Sequence, residues 1–207
     1  MHTFLSRVNA VSAFSLSTLA ALTFLCFAST FFINYTAPVT INAANIVLKN
    51  VPEYAVSREK NDLGALRFDL SSDLTPLFNW NTKQLFLYLT AEYETPNNKV
   101  NQEVHVTTHS VCVPSFNSEK WLSLSWGFQV VLWDKIIRRG DASLVSLKNQ
   151  HLKYYFWDDG NGLLGHKNVS LSLSWNIIPI AGTLPTWSGT GTYKLTFPAE
   201  YTQGRTY

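Results

Sequence analysis

Two segments contain residues whose types and spacing suit metal binding, but each segment is better explained as ordinary secondary structure. His105, His109 and Cys112 supply three possible zinc ligands, but a structural zinc site takes four, and the valines around them predict a strand. Asp158 and Asp159 open the segment DDGNGLLGHKN, which lacks the alternating oxygen ligands and the distant Glu of a calcium loop. We therefore expect a sharp turn there, no metal site and no cofactor.

Nucleophilic catalysis has little support in the sequence either. No serine lies in the G-x-S-x-G motif, in which the nucleophile sits on a strained turn between a strand and a helix. The sequence therefore predicts no catalytic residue, no small-molecule ligand and no enzyme activity in this chain.

Two motifs have the N-x-S/T spacing of a glycan acceptor, Asn34-Tyr35-Thr36 and Asn168-Val169-Ser170. Asn34 adjoins an apolar segment that has the length of a membrane span, where a large enzyme has poor access. Asn168 lies between a predicted turn and a predicted strand, on an exposed loop. We therefore expect the glycan on Asn168.

The uncharged segment 11–33 (VSAFSLSTLAALTFLCFASTFFI) contains neither Pro nor Gly and predicts a membrane-spanning helix. A helix of this length measures about 35 Å, and the hydrocarbon core of a bilayer is about 30 Å thick. A cleaved signal peptide is the alternative, but its apolar region is about 7–15 residues long and ends at small residues. Phe31, Phe32 and Ile33 end this segment, which favours a retained anchor in contact with membrane lipid.

Charge predicts the orientation of that helix. Arg7 and the α-amino group precede it, and no Lys or Arg follows until Lys49, so the positive-inside rule predicts that residues 1–10 are cytosolic and residues 34–207 are not. The second part carries a net charge of +1 with scattered basic residues, which argues against nucleic-acid binding. Its single thiol, Cys112, leaves no intramolecular disulfide there.

The part of the chain after the helix has the size of one domain and is predicted to be mainly β. Alternating or short apolar runs bounded by turn residues indicate about seven strands, and Asp73–Trp80 predicts a short helical turn. Strands are expected at Ile41–Leu48, Leu66–Ser71, Gln84–Tyr93, Val130–Ile137, Lys153–Trp157, Val169–Ile177 and Thr192–Phe197. The expected fold is therefore one N-terminal transmembrane α-helix followed by an antiparallel β-sandwich-like domain.

Several long segments, in order along the chain, carry a resemblance to a known family. They are L-S-R-x-N and A-F-S-L-S near the N-terminus, DLG and FD within residues 62–69, FNWNTKQLFLYLTAEY, VVLWDKI, YFWDDGNGLLGHKNVSLSLSWN and IPIAGTLP. Together they resemble the subunit 3 family, the non-catalytic subunits of the eukaryotic signal peptidase complex.

The resemblance implies a single-pass type II glycoprotein of the endoplasmic reticulum membrane, with a lumenal β-rich domain that packs on the catalytic subunit. In that family the proteolytic serine belongs to another chain, and this subunit supports the removal of signal peptides from nascent secretory proteins. The implied partners are the catalytic subunit and the other subunits of the complex. The glycosylated sequon of the family corresponds to Asn168.

The strand at Gln84–Tyr93 is apolar on both faces, with three leucines on one face and Phe86 and Tyr88 on the other. A sandwich covers only one face of a strand with its own core. We therefore expect Phe86 and Tyr88 to form an interface with the catalytic subunit, or to be covered by a helix or loop of the same chain.

One segment departs from the family. Glu103–Gln129 has no counterpart, because in the family NNKVNQ runs straight into VVLWDKI, which would join Gln84–Tyr93 and Val130–Ile137 as a hairpin. Lengthening that connection from about 6 to about 33 residues costs only about 1.5 kcal/mol of closure entropy. We interpret the segment as an alternative splice product, a retained intron or an artefact of the gene model, which comparison of transcript and genomic DNA would test.

Two other functions remain open on the residues alone. The first is a single-pass type II binding or adhesion module with a β-sandwich ectodomain, which would often carry a disulfide. The second is a membrane-tethered hydrolase, which would show activity as an isolated chain.

Overall fold

The structure is a computed structural model that describes residues 3–31, 33–52, 60–93, 128–158 and 162–203. Within these residues one α-helix precedes the strands of two sheets. The helix is α1 (Phe4–Phe31), and a short 3-10 helix covers Thr75–Leu77. The strands are β1 (Val39–Pro52), β2 (Lys60–Asp73), β3 (Thr82–Tyr93), β4 (Phe128–Arg138), β5 (Leu144–His151), β6 (Phe156–Asp158), β7 (Val169–Pro179) and β8 (Thr186–Leu195).

Helix α1 is long and apolar enough to cross a membrane, and it is the one helix of that kind in the described part of the chain. It begins at Phe4, earlier than the predicted residue 11, and ends at Phe31. Its hydroxyl groups donate hydrogen bonds of 2.8–2.9 Å to backbone carbonyls three or four residues earlier, which satisfies them without water. These hydroxyls belong to Ser12, Ser15, Ser17, Thr18, Thr23 and Ser29.

The strands form two sheets, with all neighbouring strands antiparallel. One sheet has the order β1-β2-β5, with β6 also paired to β2, and the other has the order β4-β3-β7-β8. The prediction of a mainly β domain with antiparallel sheets after an N-terminal apolar helix is confirmed. The predicted pairing of the two strands on either side of the Glu103–Gln129 segment is also confirmed, because β3 and β4 are neighbours.

The core lies between the two sheets. The predicted apolar face of β7 is confirmed, since Val169, Leu171, Leu173, Trp175 and Ile177 are all buried. Aromatic rings join the sheets edge to face: Phe68 of β2 lies 5.8 Å from Trp133 of β4, measured between ring centroids.

Glycines allow β1 and β8 to approach closely at one edge of the sandwich. A Cβ atom added to Gly191 would lie 1.8 Å from the carbonyl oxygen of Val39, and one added to Gly189 would lie 2.3 Å from a methyl group of the same residue. The N–H of Thr190 donates a hydrogen bond of 3.2 Å to the carbonyl of Ala37. The segment between α1 and β1 therefore covers part of the edge of β8.

Three strand predictions were wrong in whole or in part. The strand β5 was not predicted, and β8 begins at Thr186, six residues before the predicted start at Thr192. The predicted strand Lys153–Trp157 is reduced to β6 (Phe156–Asp158). The helical turn is confirmed, and the side chain of Asp73 accepts a hydrogen bond of 3.0 Å from the N–H of Thr75.

The antiparallel pairing defines two ends of the sandwich, which we call the helix end and the far end. At the helix end, α1 leads into β1 and the connections 74–81, 139–143 and 180–185 meet. At the far end, β3 ends, β4 begins and the connection from β6 to β7 passes. Phe128 and Gln129 of the proposed insert already belong to β4, and its other residues lie outside the described residues.

Candidate interaction surface

Strand β3 presents its two faces to different surroundings. Leu85, Leu87 and Leu89 point into the core and are fully buried. Phe86 and Tyr88 point away from it, on the outer face of the β4-β3-β7-β8 sheet, with ring centroids 5.9 Å apart. The two residues that the sequence singled out as a possible interface therefore lie together on one face.

The neighbouring strand β4 extends this apolar surface. Ile136 lies opposite Phe86 in the register, and Val131 lies opposite Thr90. Ile136 is 49% exposed and Val131 is 41% exposed, and it is their grouping with the half-buried ring of Phe86 on one face, more than the exposure of either alone, that marks this surface. We call Phe86, Tyr88, Val131 and Ile136 the outer strip.

Tyr88 is the most enclosed member of the outer strip, with 7% of the residue exposed. Burial raises the pKa of the Tyr88 phenol above its usual value, and a hydrogen bond with Ser174 of β7 partly opposes this rise. The accessible part of the strip is therefore formed by Phe86, Val131 and Ile136, while Tyr88 supports it from within the sheet.

A charged group lies within the outer strip, between Val131 and Ile136 along β4. The carboxylate of Asp134, opposite Tyr88 in the register, accepts hydrogen bonds from the Lys153 ammonium group at 2.5 Å and from the Tyr154 hydroxyl at 2.9 Å. The hydrogen bond from Lys153 is the main reason that the pKa of Asp134 is lowered, and partial desolvation opposes it. An ion pair this exposed contributes little to folding, but it places a polar group between the two exposed aliphatic residues of the edge strand β4.

The two sequons lie at opposite ends of the sandwich. Asn168 is exposed at the far end, directly before β7, on a loop that backbone hydrogen bonds hold in place. These bonds run from Gly165 N–H to Pro198 C=O (3.0 Å) and from Phe197 N–H to His166 C=O (2.9 Å). Asn34 is also exposed, but it follows α1 by three residues at the helix end.

The acidic turn has a structural explanation. Asp158 is buried, and its carboxylate accepts hydrogen bonds from the Tyr93 hydroxyl at 2.9 Å and from the Gly162 N–H at 3.0 Å. These bonds stabilise the chain reversal between β6 and β7. Within the described residues no three His, Cys, Asp or Glu side chains group together as metal ligands. The other candidate ligands lie outside the described residues: His105, His109, Cys112 and Asp159.

Sequence reasoning did not single out Val131 and Ile136, although VVLWDKII is apolar on both faces in the same way as β3. It also passed over the S-x-x-K spacing of Ser57 and Lys60, a spacing found in some serine hydrolases. Lys60 is the first residue of β2, and Ser57 lies outside the described residues.

Comparison with known proteins covers nearly the whole chain. Residues 1–200 match a protein family described as "Signal peptidase subunit". The chain is 52% identical over 201 residues to the fruit fly (Drosophila melanogaster) protein named signal peptidase complex subunit 3, and this alignment covers 97% of both chains. It is 45% identical over 207 residues to the human protein of the same name, with both chains fully covered. A mouse protein named adipocyte-related X-chromosome expressed sequence 1 is 43% identical over the same full length.

Proposed function

Because this chain belongs to the signal peptidase subunit family and is a non-catalytic subunit of the signal peptidase complex, we propose that it acts by contact with the catalytic subunit. The outer strip is the surface that makes this contact. The observation that carries the proposal is the exposure of Ile136 beside the half-buried ring of Phe86, on the face of the sheet opposite the core.

The composition of the outer strip fits a partner surface. Interfaces combine apolar contacts with polar ones, and here Phe86, Val131 and Ile136 provide the first while Asp134 and its ion pair, between Val131 and Ile136 along β4, provide the second. Covering one such aliphatic or aromatic side chain contributes about 1–3 kcal/mol. Two or three side chains of this size are enough to make the strip an energetic centre of the interface.

The proposed arrangement places α1 across the endoplasmic reticulum membrane, with the N-terminus in the cytosol and the sandwich in the lumen. It is supported by Arg7 near the start of α1 and by the internal hydrogen bonds of the helix hydroxyls, which suit contact with lipid. Protease treatment of sealed microsomes tests this orientation, since the sandwich should be digested only after the membrane is opened.

The proposed glycan site is Asn168. Its exposure at the far end keeps it away from α1, whereas Asn34 is close to the helix and therefore to the membrane surface. Removal of N-glycans should increase gel mobility of the chain, and Asn168→Gln should abolish the change while Asn34→Gln leaves it. A change that persists in Asn168→Gln would refute the assignment.

Co-purification from mild detergent tests the outer strip. Phe86→Ser and Ile136→Ser place a polar group at the proposed contact, and each is expected to reduce recovery of the catalytic subunit by about tenfold, equivalent to about 1.4 kcal/mol. Leu164→Ser is the matched control, because Leu164 is an exposed aliphatic residue at the far end.

The folded state of each variant is followed by circular dichroism, so that loss of binding is separated from loss of structure. Tyr88→Ser is expected to lower folding stability as well as recovery, because Tyr88 is buried. Equal recovery from Phe86→Ser, Ile136→Ser and Leu164→Ser, with all three folded, would remove the outer strip from the candidate partner surfaces.

A further inference from the structure

Asn81 connects α1 to the sandwich at the helix end. Its buried side-chain amide donates hydrogen bonds to the Thr30 hydroxyl of α1 at 3.0 Å and to the carbonyl of Ala181 at 2.8 Å. Its side-chain oxygen accepts hydrogen bonds from the N–H of Ala181 at 3.0 Å and from the thiol of Cys26 at 3.7 Å. One side chain therefore joins the last turns of α1 to the connection between β7 and β8.

The same connection packs directly against the helix at Gly182. The backbone of Gly182 has φ +119°, a conformation that favours glycine, and a Cβ atom added there would lie 2.7 Å from the ring of Phe27. The loop 180–184 therefore contacts α1 four residues before the helix ends at Phe31.

The position of Phe27 along α1 indicates the depth of this contact. About 20 helical residues span the hydrocarbon core of a bilayer. Counted from Val11, where the uncharged segment 11–33 begins, this length reaches Thr30, about one helical turn beyond Phe27. Segments that contact Cys26, Phe27 and Thr30 therefore lie within about one helical turn of the boundary between the hydrocarbon and the lipid headgroups.

Large apolar side chains are exposed on the segments that lie at this depth. Trp80, next to Asn81, is 55% exposed, and Ile180 and Leu184 of the 180–184 loop are 68% and 63% exposed. The backbone N–H of Ile180 donates a hydrogen bond of 2.7 Å to the carbonyl of Asn81, which joins the two segments. We call Trp80, Ile180 and Leu184 the membrane-side rim.

Basic side chains stand beside the rim. The guanidinium group of Arg139 donates hydrogen bonds to the carbonyls of Thr82, at 3.0 Å, and Asn79, which holds a cation next to the turn that carries Trp80. Lys83 is exposed at the start of β3, in the same region. Indole rings at the headgroup level, with Lys and Arg nearby, are typical of protein surfaces that contact a bilayer.

We propose that the membrane-side rim inserts into the headgroup region of the leaflet next to the sandwich and forms a second membrane contact beside α1. This inference rests on the proposed membrane-spanning role of α1. The partner is phospholipid, because the rim is continuous with the helix at the depth where lipid surrounds it. The contact sets the sandwich at a defined height and tilt on the membrane surface.

Spin-label accessibility tests the proposal. The full chain, with Cys26→Ala and Cys112→Ala, carries a nitroxide label at Leu184→Cys or, as the matched control, at Leu164→Cys at the far end. Each protein is reconstituted into phosphatidylcholine nanodiscs, alone and within the purified complex. Collisions of the label with oxygen, which is concentrated in lipid, are compared with collisions with a water-soluble nickel chelate.

In both preparations the label at 184 should collide with oxygen and be protected from nickel, while the label at 164 should show the opposite preference. Equal nickel accessibility at the two sites would overturn the lipid contact. Protection of the label at 184 from both reagents would also overturn it, because another subunit would then cover the rim. Neither result depends on recovery of the catalytic subunit, so failure of this inference is distinguishable from failure of the proposed partner contact.

Discussion

Replacement of Trp175 should destabilise the domain more than any surface change. Trp175 lies on the apolar face of β7 and is fully buried. Its indole N–H also donates a hydrogen bond of 3.1 Å to the carbonyl of Tyr35, in the segment that connects α1 to β1. Trp175→Ala therefore removes core volume and the hydrogen bond that ties this connecting segment to the core.

The expected loss follows from these two contacts. Truncation of a buried Trp to Ala costs about 3–5 kcal/mol, and leaving the carbonyl of Tyr35 without its donor adds about 1 kcal/mol. A domain of this kind has a free energy of unfolding of about 5–15 kcal/mol. Because 1 kcal/mol corresponds to about 2–4 °C at this size, Trp175→Ala should lower Tm by about 10–20 °C.

Thermal unfolding of the full chain in detergent, followed by circular dichroism at β-sheet wavelengths, measures this loss. Trp175→Phe retains most of the apolar contact and loses the hydrogen bond, so its effect should fall between those of wild type and Trp175→Ala. Ser172→Ala is the control on the opposite face of β7. It removes only the hydrogen bond of 3.1 Å between the hydroxyls of Ser172 and Thr90, so it should lower the free energy of unfolding by about 1 kcal/mol. If Trp175→Ala unfolded within a few degrees of Ser172→Ala, the assigned packing of β7 would be wrong.

Two further changes test the edge of the sandwich and the outer strip. Gly191→Ala should lower the free energy of unfolding by about 1–3 kcal/mol, because its Cβ meets the carbonyl oxygen of Val39, and an unchanged denaturation midpoint relative to Thr192→Ala would contradict that contact. The pKa of Tyr88 is raised above its ordinary value of 10.0, so its contribution to stability is complete below that pH and declines as pH rises towards the folded-state pKa. Wild type should therefore lose stability above pH 10.0 more steeply than Tyr88→Phe, and parallel curves for the two proteins would refute the burial of this hydroxyl.

Local sequence pattern determines the membrane-spanning helix and the buried face of β7. A long uncharged run without Pro or Gly forms a helix when it crosses a bilayer alone, and the two-residue period of β7 already indicates which of its side chains are buried. The start of α1 was misplaced because hydropathy marks the part of a helix that suits lipid. Backbone hydrogen bonds extend the helix beyond it, back to Phe4.

Only the tertiary structure determines β5, the start of β8 and the contacts of Asn81, because the residues that stabilise them are distant in sequence. The strand β5 has few buried residues and carries almost no apolar period, and β2 supplies its hydrogen bonds. The stretch of β8 from Thr186 to Thr192 is rich in Gly, Ser and Thr, which is typical of a loop, yet Gly191 is required within it because the backbone of β1 passes against it. The contacts of Asn81 with Thr30 and Ala181 likewise join segments 51 and 100 residues apart, which no local pattern in the sequence indicates.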